Sequence, residues 1–301
     1  MLTAYFLMIL VVIFYAGNIL VGKAINDLLP FTIAFFRLLI AFLIVLPFAW
    51  KKTWEHREIF IRYKKPFFWM TLSGVTFFNT FIYASLQFTT STNVAVLETL
   101  IPALTVVLSA YILKEKLYRI QWAGVMLSLL GAVWVVVDGS IFQLVRMDWN
   151  PGDLIMTGAI ICWSAYSIFV KKYMHLFPAF AALLVMTGLS LIVLLPFVAA
   201  EWMWTGVPQL LETDIVTGLL YLGIFPSFIA LIFFNRAVGI LGASKASVFL
   251  NFLPVATMLG AYLWLGEAIT IMQVTGAAIV ISGVLITTQG FRLKKQSGVT
   301  N

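Results

Sequence analysis

Charge is the scarcest resource in this chain. Of its 301 residues only 10% are Asp, Glu, Lys or Arg, and 62% are hydrophobic. A soluble domain carries about 25% charged residues, so this chain has too little charge to wet a protein surface, and its solvent must be lipid. Cysteine is nearly absent: Cys162 alone, in an apolar segment, excludes an intramolecular disulfide. The only histidines, His56 and His175, are far apart in polar connections, and no His, Cys and carboxylate spacing suggests a metal site. No cofactor motif is present, and no nucleophile stands with a base. There is no Asn-x-Ser/Thr sequon. The stretch before Lys23 carries no Lys or Arg, and Ala4 to Val21 is long enough to remain as a membrane span rather than a signal segment.

Long apolar runs are what the chain has instead. A spanning helix needs about 20 mainly apolar residues. Hydropathy and loop breakers give ten such segments, near 4–22, 31–49, 67–88, 94–113, 119–137, 152–170, 178–199, 215–234, 244–264 and 270–289. The finest breaks are the polar 89–93 and the glycine-bearing 235–243. Ten spans leave no room for a soluble catalytic or nucleotide-binding domain. The expected fold is therefore an all-α integral membrane protein of ten transmembrane helices.

The net charge of +7 does not point to nucleic acid, because the cations fall in connections. Sixteen of the nineteen Lys and Arg lie on one side of the ten-span topology, with six of them between spans two and three. Only Lys23 and Arg146 lie on the other side, and Arg37 lies inside a span. The positive-inside rule puts the sixteen in the cytoplasm. Both termini are then cytoplasmic and the acidic 200–214 connection, with Glu201, Glu212 and Asp214, is external. A multi-pass protein of the cell membrane is expected.

The chain also repeats itself. At an offset of 152, Pro102 matches Pro254, Thr105 matches Thr257, Leu113 matches Leu265 and Glu115 matches Glu267. Gln121, Gly124 and Gly131 match Gln273, Gly276 and Gly283. A shorter echo pairs Leu43–Phe48 with Leu191–Phe197. The expected units are residues 1–140 and 150–290, five spans each, with 291–301 a cytoplasmic tail. Five is odd, so the second unit enters the membrane inverted. Inverted repeats characterise secondary transporters, whose two halves exchange inward-open and outward-open shapes. A receptor, an assembly factor or an intramembrane lipid-modifying enzyme are the alternatives. A scaffold gains nothing from being invertible, and an enzyme needs clustered catalytic polar residues that this chain lacks.

The segment Leu113-Lys-Glu115-Lys-Leu-Tyr-Arg-Ile-Gln121-Trp-Ala-Gly124, followed by Leu-Leu-Gly131, resembles the EamA family of the drug/metabolite transporter superfamily. So does Trp264-Leu-Gly-Glu267-Ala-Ile-Thr-Ile-Met-Gln273-Val-Thr-Gly276. The resemblance covers nearly the whole chain as two halves. It implies a ten-helix carrier, often an exporter of amino acids, metabolites or toxic compounds, with spans five and ten at the periphery. The implied partners are a small-molecule solute and the lipid bilayer.

Ionisable groups inside spans are costly and usually serve a cavity or a partner. Arg37 and Glu98 are the two clear cases, roughly 9 Å and 6 Å below the external surface at 1.5 Å per residue. Two arrangements suit them: an ion pair, or joint capture of an amino acid's carboxylate and ammonium. Glu98 is also a candidate carrier of a coupling proton. Its repeat counterpart is Leu250, so the fold does not require the charge. Asn18, Asn79 and Asn251 offer amides to a solute or to neighbouring helices. Tyr83, Trp163 and Tyr166 offer an aromatic wall with polar handles, or plain packing. Pro102 and Pro254, at equivalent places in spans four and nine, are expected to bend them and are candidate gating elements. Gly124, Ser128, Gly131, Gly276 and Gly283 form small-residue faces for helix packing or for a homodimer contact. Gly17-Asn-Ile-Leu-Val-Gly22-Lys23-Ala24 imitates a phosphate-binding loop, but it lacks the Ser or Thr that follows the lysine and the strand that precedes the loop.

Overall fold

The computed structural model describes residues 2–112, 119–136, 139, 150–241 and 249–297. Glu115, Asp138, Arg146 and Lys245 lie outside the described residues. Those described form helices and no strands. Lipid offers no hydrogen-bond partners, so a chain this apolar satisfies its backbone within helices.

In order these are α1 (Leu2–Ala24), α2 (Pro30–Glu55), the short α3 (Arg57–Arg62), α4 (Lys64–Thr71), a π turn (Leu72–Phe77) and α5 (Phe78–Leu86). Then come α6 (Ser91–Glu98), α7 (Ile101–Ile112) and α8 (Arg119–Val136). The second half has α9 (Pro151–Tyr173), α10 (Ala179–Thr205), α11 (Thr213–Ile224), a π turn (Phe225–Ile229) and α12 (Ala230–Leu241). It closes with α13 (Leu253–Gly260), a π turn (Ala261–Leu265) and α14 (Ile271–Ser297). Seven helical segments are long and apolar enough to cross a membrane. Two shorter apolar helices, Leu253–Leu265 and Ile271–Ile286, fall where spans nine and ten are expected. The run Lys64–Leu86, interrupted by its π turn, falls at span three.

Several helices run past their expected ends, α2 to Glu55 and α10 to Thr205 among them. α12 continues to Leu241, because Arg236 to Leu241 offers no residue that stops a helix except Gly239. The backbone of α14 stays helical to Ser297, through the first part of the segment expected as a tail.

The helices pack with the reciprocity of a two-fold axis, in which residue i touches j and the counterpart of j touches the counterpart of i. α1 packs on α12 and α13, and its counterpart α9 packs on α5 and α7. α2 packs on its own counterpart α10, and α8 on its counterpart α14. The axis is clearest at α8 and α14. A Cβ on Gly283 would lie 2.5 Å from the Ser128 amide nitrogen, and one on Gly131 would lie 2.8 Å from the Val280 nitrogen. Ser128 and Val280 are 152 apart, as are Gly131 and Gly283. The Ser128 hydroxyl donates to Val280 O at 3.4 Å, crossing the axis. The small residues of spans five and ten thus meet each other within the chain.

The local irregularities repeat as well. The π turns Leu72–Phe77 and Phe225–Ile229 are one repeat length apart. So are the breaks at Thr99-Leu100 and Asn251-Phe252. In the first break Leu100 N bonds Leu97 O at 3.0 Å, and in the second Phe252 N bonds Phe249 O at 3.0 Å. Pro102 and Pro254 cause both: each lacks the N–H that would bond the carbonyl four residues back. At the expected bend the helix tightens into a short turn of bonds three residues back, and Glu98 sits at its edge.

Two carboxylates close helix starts from a distance: α2 has no side-chain cap of its own, and at α6 the Thr90 hydroxyl accepts only from Asn93 N, at 3.2 Å. Glu201 belongs to α10, which extends into the expected 200–214 connection. It accepts from Phe31 N, Thr32 N and the Thr32 hydroxyl at 2.9, 2.9 and 2.8 Å. Glu267 accepts from Ser91 N at 3.0 Å and Thr92 N at 3.4 Å. A carboxylate at a helix N-terminus satisfies free N–H groups and opposes the helix dipole.

Candidate functional site

Arg37 is the organising residue. It leaves the middle of α2 and is 4% exposed. Its Nη1 donates to Asn18 Oδ1 at 2.9 Å, to Asn79 Oδ1 at 2.7 Å and to the Tyr83 hydroxyl. Nε and Nη2 donate to the Ser227 hydroxyl at 3.2 and 2.7 Å. The Tyr83 hydroxyl in turn donates a hydrogen bond to Asn18 Oδ1 at 3.0 Å. Three helices of the first half and the π turn of the second half meet on one guanidinium.

Each partner is there for a local reason. Asn18 and Gly22 lie one turn apart on α1, and the missing side chain at Gly22 makes room for the Tyr83 ring: a Cβ there would stand 2.7 Å from it. Asn79 and Tyr83 are four apart on α5 and share a face. Ser227 follows Pro226, whose absent N–H leaves Leu222 O without its helical donor; the Ser227 hydroxyl supplies one at 2.7 Å. That hydroxyl therefore donates backward and presents its lone pairs to Arg37.

The electrostatics are unusual. All four partners are neutral, and among the described residues no carboxylate lies within ion-pair distance of the guanidinium. Removing a charge from water costs several kcal/mol even after relaxation, and each hydrogen bond to a charged group returns about 1.5–3 kcal/mol. Arginine carries five N–H groups. Nε uses one, Nη1 both of its own and Nη2 one, so one N–H on Nη2 has no partner among the described residues.

Glu98 does not pair with Arg37, contrary to one of the two expected arrangements. The reason is geometric: Glu98 ends α6 and does not come within ion-pair distance of the guanidinium on α2. Glu98 is half-buried at the end of α6, and its carboxylate has no hydrogen bond among the described residues. Tyr15 of α1 lies in the same electrostatic environment as Glu98, Tyr166 and Arg37. Trp163 and Tyr166 pack as a tilted pair with ring centroids 5.0 Å apart, and Trp163 packs tilted on Phe78 at 4.3 Å. Tyr166 presses on the backbone of Gly74, within the first π turn.

The structure thus brings Arg37, Asn18, Asn79 and Tyr83 into direct contact, with Glu98, Trp163 and Tyr166 nearby. Asn251 lies at the second helix break, half-buried, and no hydrogen bond among the described residues joins it to the cluster. Pro102 and Pro254 stand at the breaks rather than in the cluster. Ser227 and Tyr15 were not among the sequence candidates. A serine one residue after an in-span proline is a usable signal for the first, and nothing distinguishes Tyr15 from other span tyrosines. Among the described residues no group of three or more His, Cys, Asp or Glu could hold a metal ion.

A two-fold pair of helical halves, broken helices at equivalent places and a buried charge at their junction define a membrane transport fold. The EamA-like transporter family model matches residues 2–137 and again residues 150–289, and the chain belongs to that family. It is 28% identical to "Uncharacterized transporter YyaM" of Bacillus subtilis, over 74% of this chain and 72% of that one. It is 27% identical to "Probable amino-acid metabolite efflux pump" of Salmonella typhimurium, over 65% and 67%. An "Uncharacterized transporter" of Archaeoglobus fulgidus is 26% identical over 94% and 96%. A solved crystal structure, 18% identical, superposes with a TM-score of 0.64 over 95% of this chain and 97% of that one, which shows the shared fold. The protein is a multi-pass membrane protein of a transporter family.

Proposed function

We propose that this chain is a secondary exporter that moves a small, carboxylate-bearing metabolite across the cell membrane by alternating access, with Arg37 as the anchor of the carboxylate. The observation that carries this reading is the buried guanidinium held only by neutral oxygens, with one N–H to spare. An anionic solute is the natural complement of such a fork. The name of the Salmonella relative, an amino-acid metabolite efflux pump, supports an amino-acid-like solute. Its ammonium would then meet Glu98, framed by Tyr15 and Tyr166. Without solute, the same carboxylate is suited to take up a coupling proton.

The two helix breaks supply the moving parts. Pro102 and Pro254 free one carbonyl each at equivalent depths, so α6–α7 and the run into α13 bend at matched points as the halves exchange shapes. Both termini lie in the cytoplasm in this reading, as the sixteen cations require.

The test is accumulation in proteoliposomes of a mixed panel of amino acids and other metabolites, with and without an imposed pH gradient. Accumulation of one carboxylate-bearing solute driven by the gradient is the expected result. A correctly folded preparation that moves nothing across a broad panel would remove the proposal.

A further inference from the structure

A cavity of about 520 Å³ lies away from Arg37, between α6–α7, α8 and the start of α9. That volume suits one drug-sized molecule. Its walls are apolar, with Val107, Met126, Leu129 and Ile161 among them, and the last three are about half exposed. In a membrane-spanning helix such exposure is to lipid, so the cavity opens sideways into the bilayer. Its polar lining residues, Asn150, Asp153 and Thr157, all belong to the start of α9 and mark one end. From Asn150 to Ile161 the groove follows α9 for eleven residues, about 16 Å at 1.5 Å per residue. One leaflet of a hydrocarbon core about 30 Å thick has that depth.

The polar end carries a charge. Asp153 is 6% exposed and accepts from the Thr89 hydroxyl at 2.9 Å, and the Asn93 amide donates in turn to that hydroxyl at 3.3 Å. Both groups are neutral. Among the described residues no cation lies within ion-pair distance: Lys23 donates instead to Leu86 O and Thr89 O at 2.6 and 3.0 Å, and the start of α9 adds its helix dipole. A carboxylate has lone pairs beyond the one used here.

We propose that this groove binds a membrane phospholipid with a primary-ammonium headgroup, one acyl chain filling the apolar slot and the ammonium bonding the Asp153 carboxylate. Length, sideways opening and charge complementarity each argue for a lipid of the leaflet at which α9 begins. The site stands apart from the Arg37 cluster and does not depend on the transport reading.

Native mass spectrometry of the full chain in detergent tests this, with phosphatidylethanolamine, phosphatidylcholine and phosphatidylglycerol titrated separately. Phosphatidylcholine keeps the chains and methylates the ammonium, so it cannot donate to Asp153. The first phosphatidylethanolamine is expected to bind about tenfold more tightly than the other two, the worth of one charge-assisted hydrogen bond. Asp153→Asn should erase that preference and leave phosphatidylcholine binding unchanged. Leu129→Trp, which fills the slot, should weaken the first binding event for all three lipids. Equal binding of the three lipids to the wild-type chain would overturn the proposal, as would a preference untouched by Asp153→Asn. Tight binding of hexadecylamine without any of phosphatidylethanolamine would also overturn it, in favour of a vestibule for single-chain amines. The headgroup comparison on the wild-type chain needs no variant, so it decides the matter even if Asp153→Asn does not fold.

Discussion

A buried arginine is held here by oxygens that carry no formal charge, and its behaviour on substitution follows. Arg37→Lys keeps the cation but loses the planar fork, which cannot be replaced by a point charge. Transport should fall at least about tenfold, the cost of one to two charge-assisted hydrogen bonds. Ser227→Ala removes the acceptor of two Arg37 N–H groups and strips Leu222 O of its donor. We expect about 1–3 kcal/mol of lost stability in a detergent melt and a raised KM, with Ser227→Thr restoring both. Glu98→Gln should abolish the response to an imposed pH gradient and, because the same carboxylate meets the solute's ammonium, weaken solute exchange without abolishing it. An unchanged gradient response in that variant would show that Glu98 carries no proton.

Much of this residue-level picture is legible in the sequence itself. Charge scarcity alone isolates Arg37 and Glu98, since an ionisable group inside a span has few bland explanations. The in-span amides Asn18 and Asn79 stand out for the same reason. Their convergence on one guanidinium is not legible there, because it depends on how α1, α2 and α5 rotate about their axes. Ser227 is missed because its role comes from the proline before it and from a π turn that hydropathy does not register. The pairing of Arg37 with Glu98, suggested by similar depth, fails because depth ignores the angular position of a residue around its helix.

Elements tell a parallel story. The in-register prolines and glycines at offset 152 mark places where backbone geometry, rather than side-chain chemistry, is reproduced in both halves. Pro102 and Pro254 produce the same break twice, and the glycines produce the close approach of α8 and α14. A Cβ at Gly283 would stand 2.5 Å from the Ser128 nitrogen and 2.6 Å from Gly124 O, both backbone atoms that cannot step aside. Gly283→Ala should therefore push the two helices apart and cost about 1–3 kcal/mol, as overpacking does, seen as a lower Tm in detergent. Gly206→Ala, also at a glycine but in a connection with nothing within 4 Å of its Cβ, is a useful contrast. Its φ of 84° and ψ of 168° lie in a region essentially confined to glycine, so a non-glycine residue there costs about 1–3 kcal/mol without any helix displacement. The π turns leave no mark in the hydropathy pattern, although π bulges tend to occur at functional sites, and here one of them delivers Ser227.

For the whole molecule, two-fold packing and the asymmetric charge belong together. The frame repeats, while Arg37 and Glu98 do not; in the proposed reading the halves exchange shapes and the solute meets one site rather than two. The proposed orientation, with both termini cytoplasmic, rests on the distribution of cations and is open to direct test. In a Cys162→Ala background, Glu58→Cys should react with an impermeant maleimide only after cells are opened, and Gln209→Cys should react in intact cells. The reverse pattern would invert the topology and with it the direction assigned to transport.

The central claim is that Arg37 holds the carboxylate of a transported solute. The most direct measurement is counterflow in proteoliposomes with paired solutes, each amino acid beside its decarboxylated amine, for the wild-type chain and for Arg37→Gln. The account predicts that the wild-type chain exchanges at least one amino acid, that the matching amine is exchanged at least about tenfold more slowly, and that Arg37→Gln loses the difference by losing the amino acid. Equal exchange of acid and amine by the wild-type chain, or undiminished amino-acid exchange by Arg37→Gln, would contradict it.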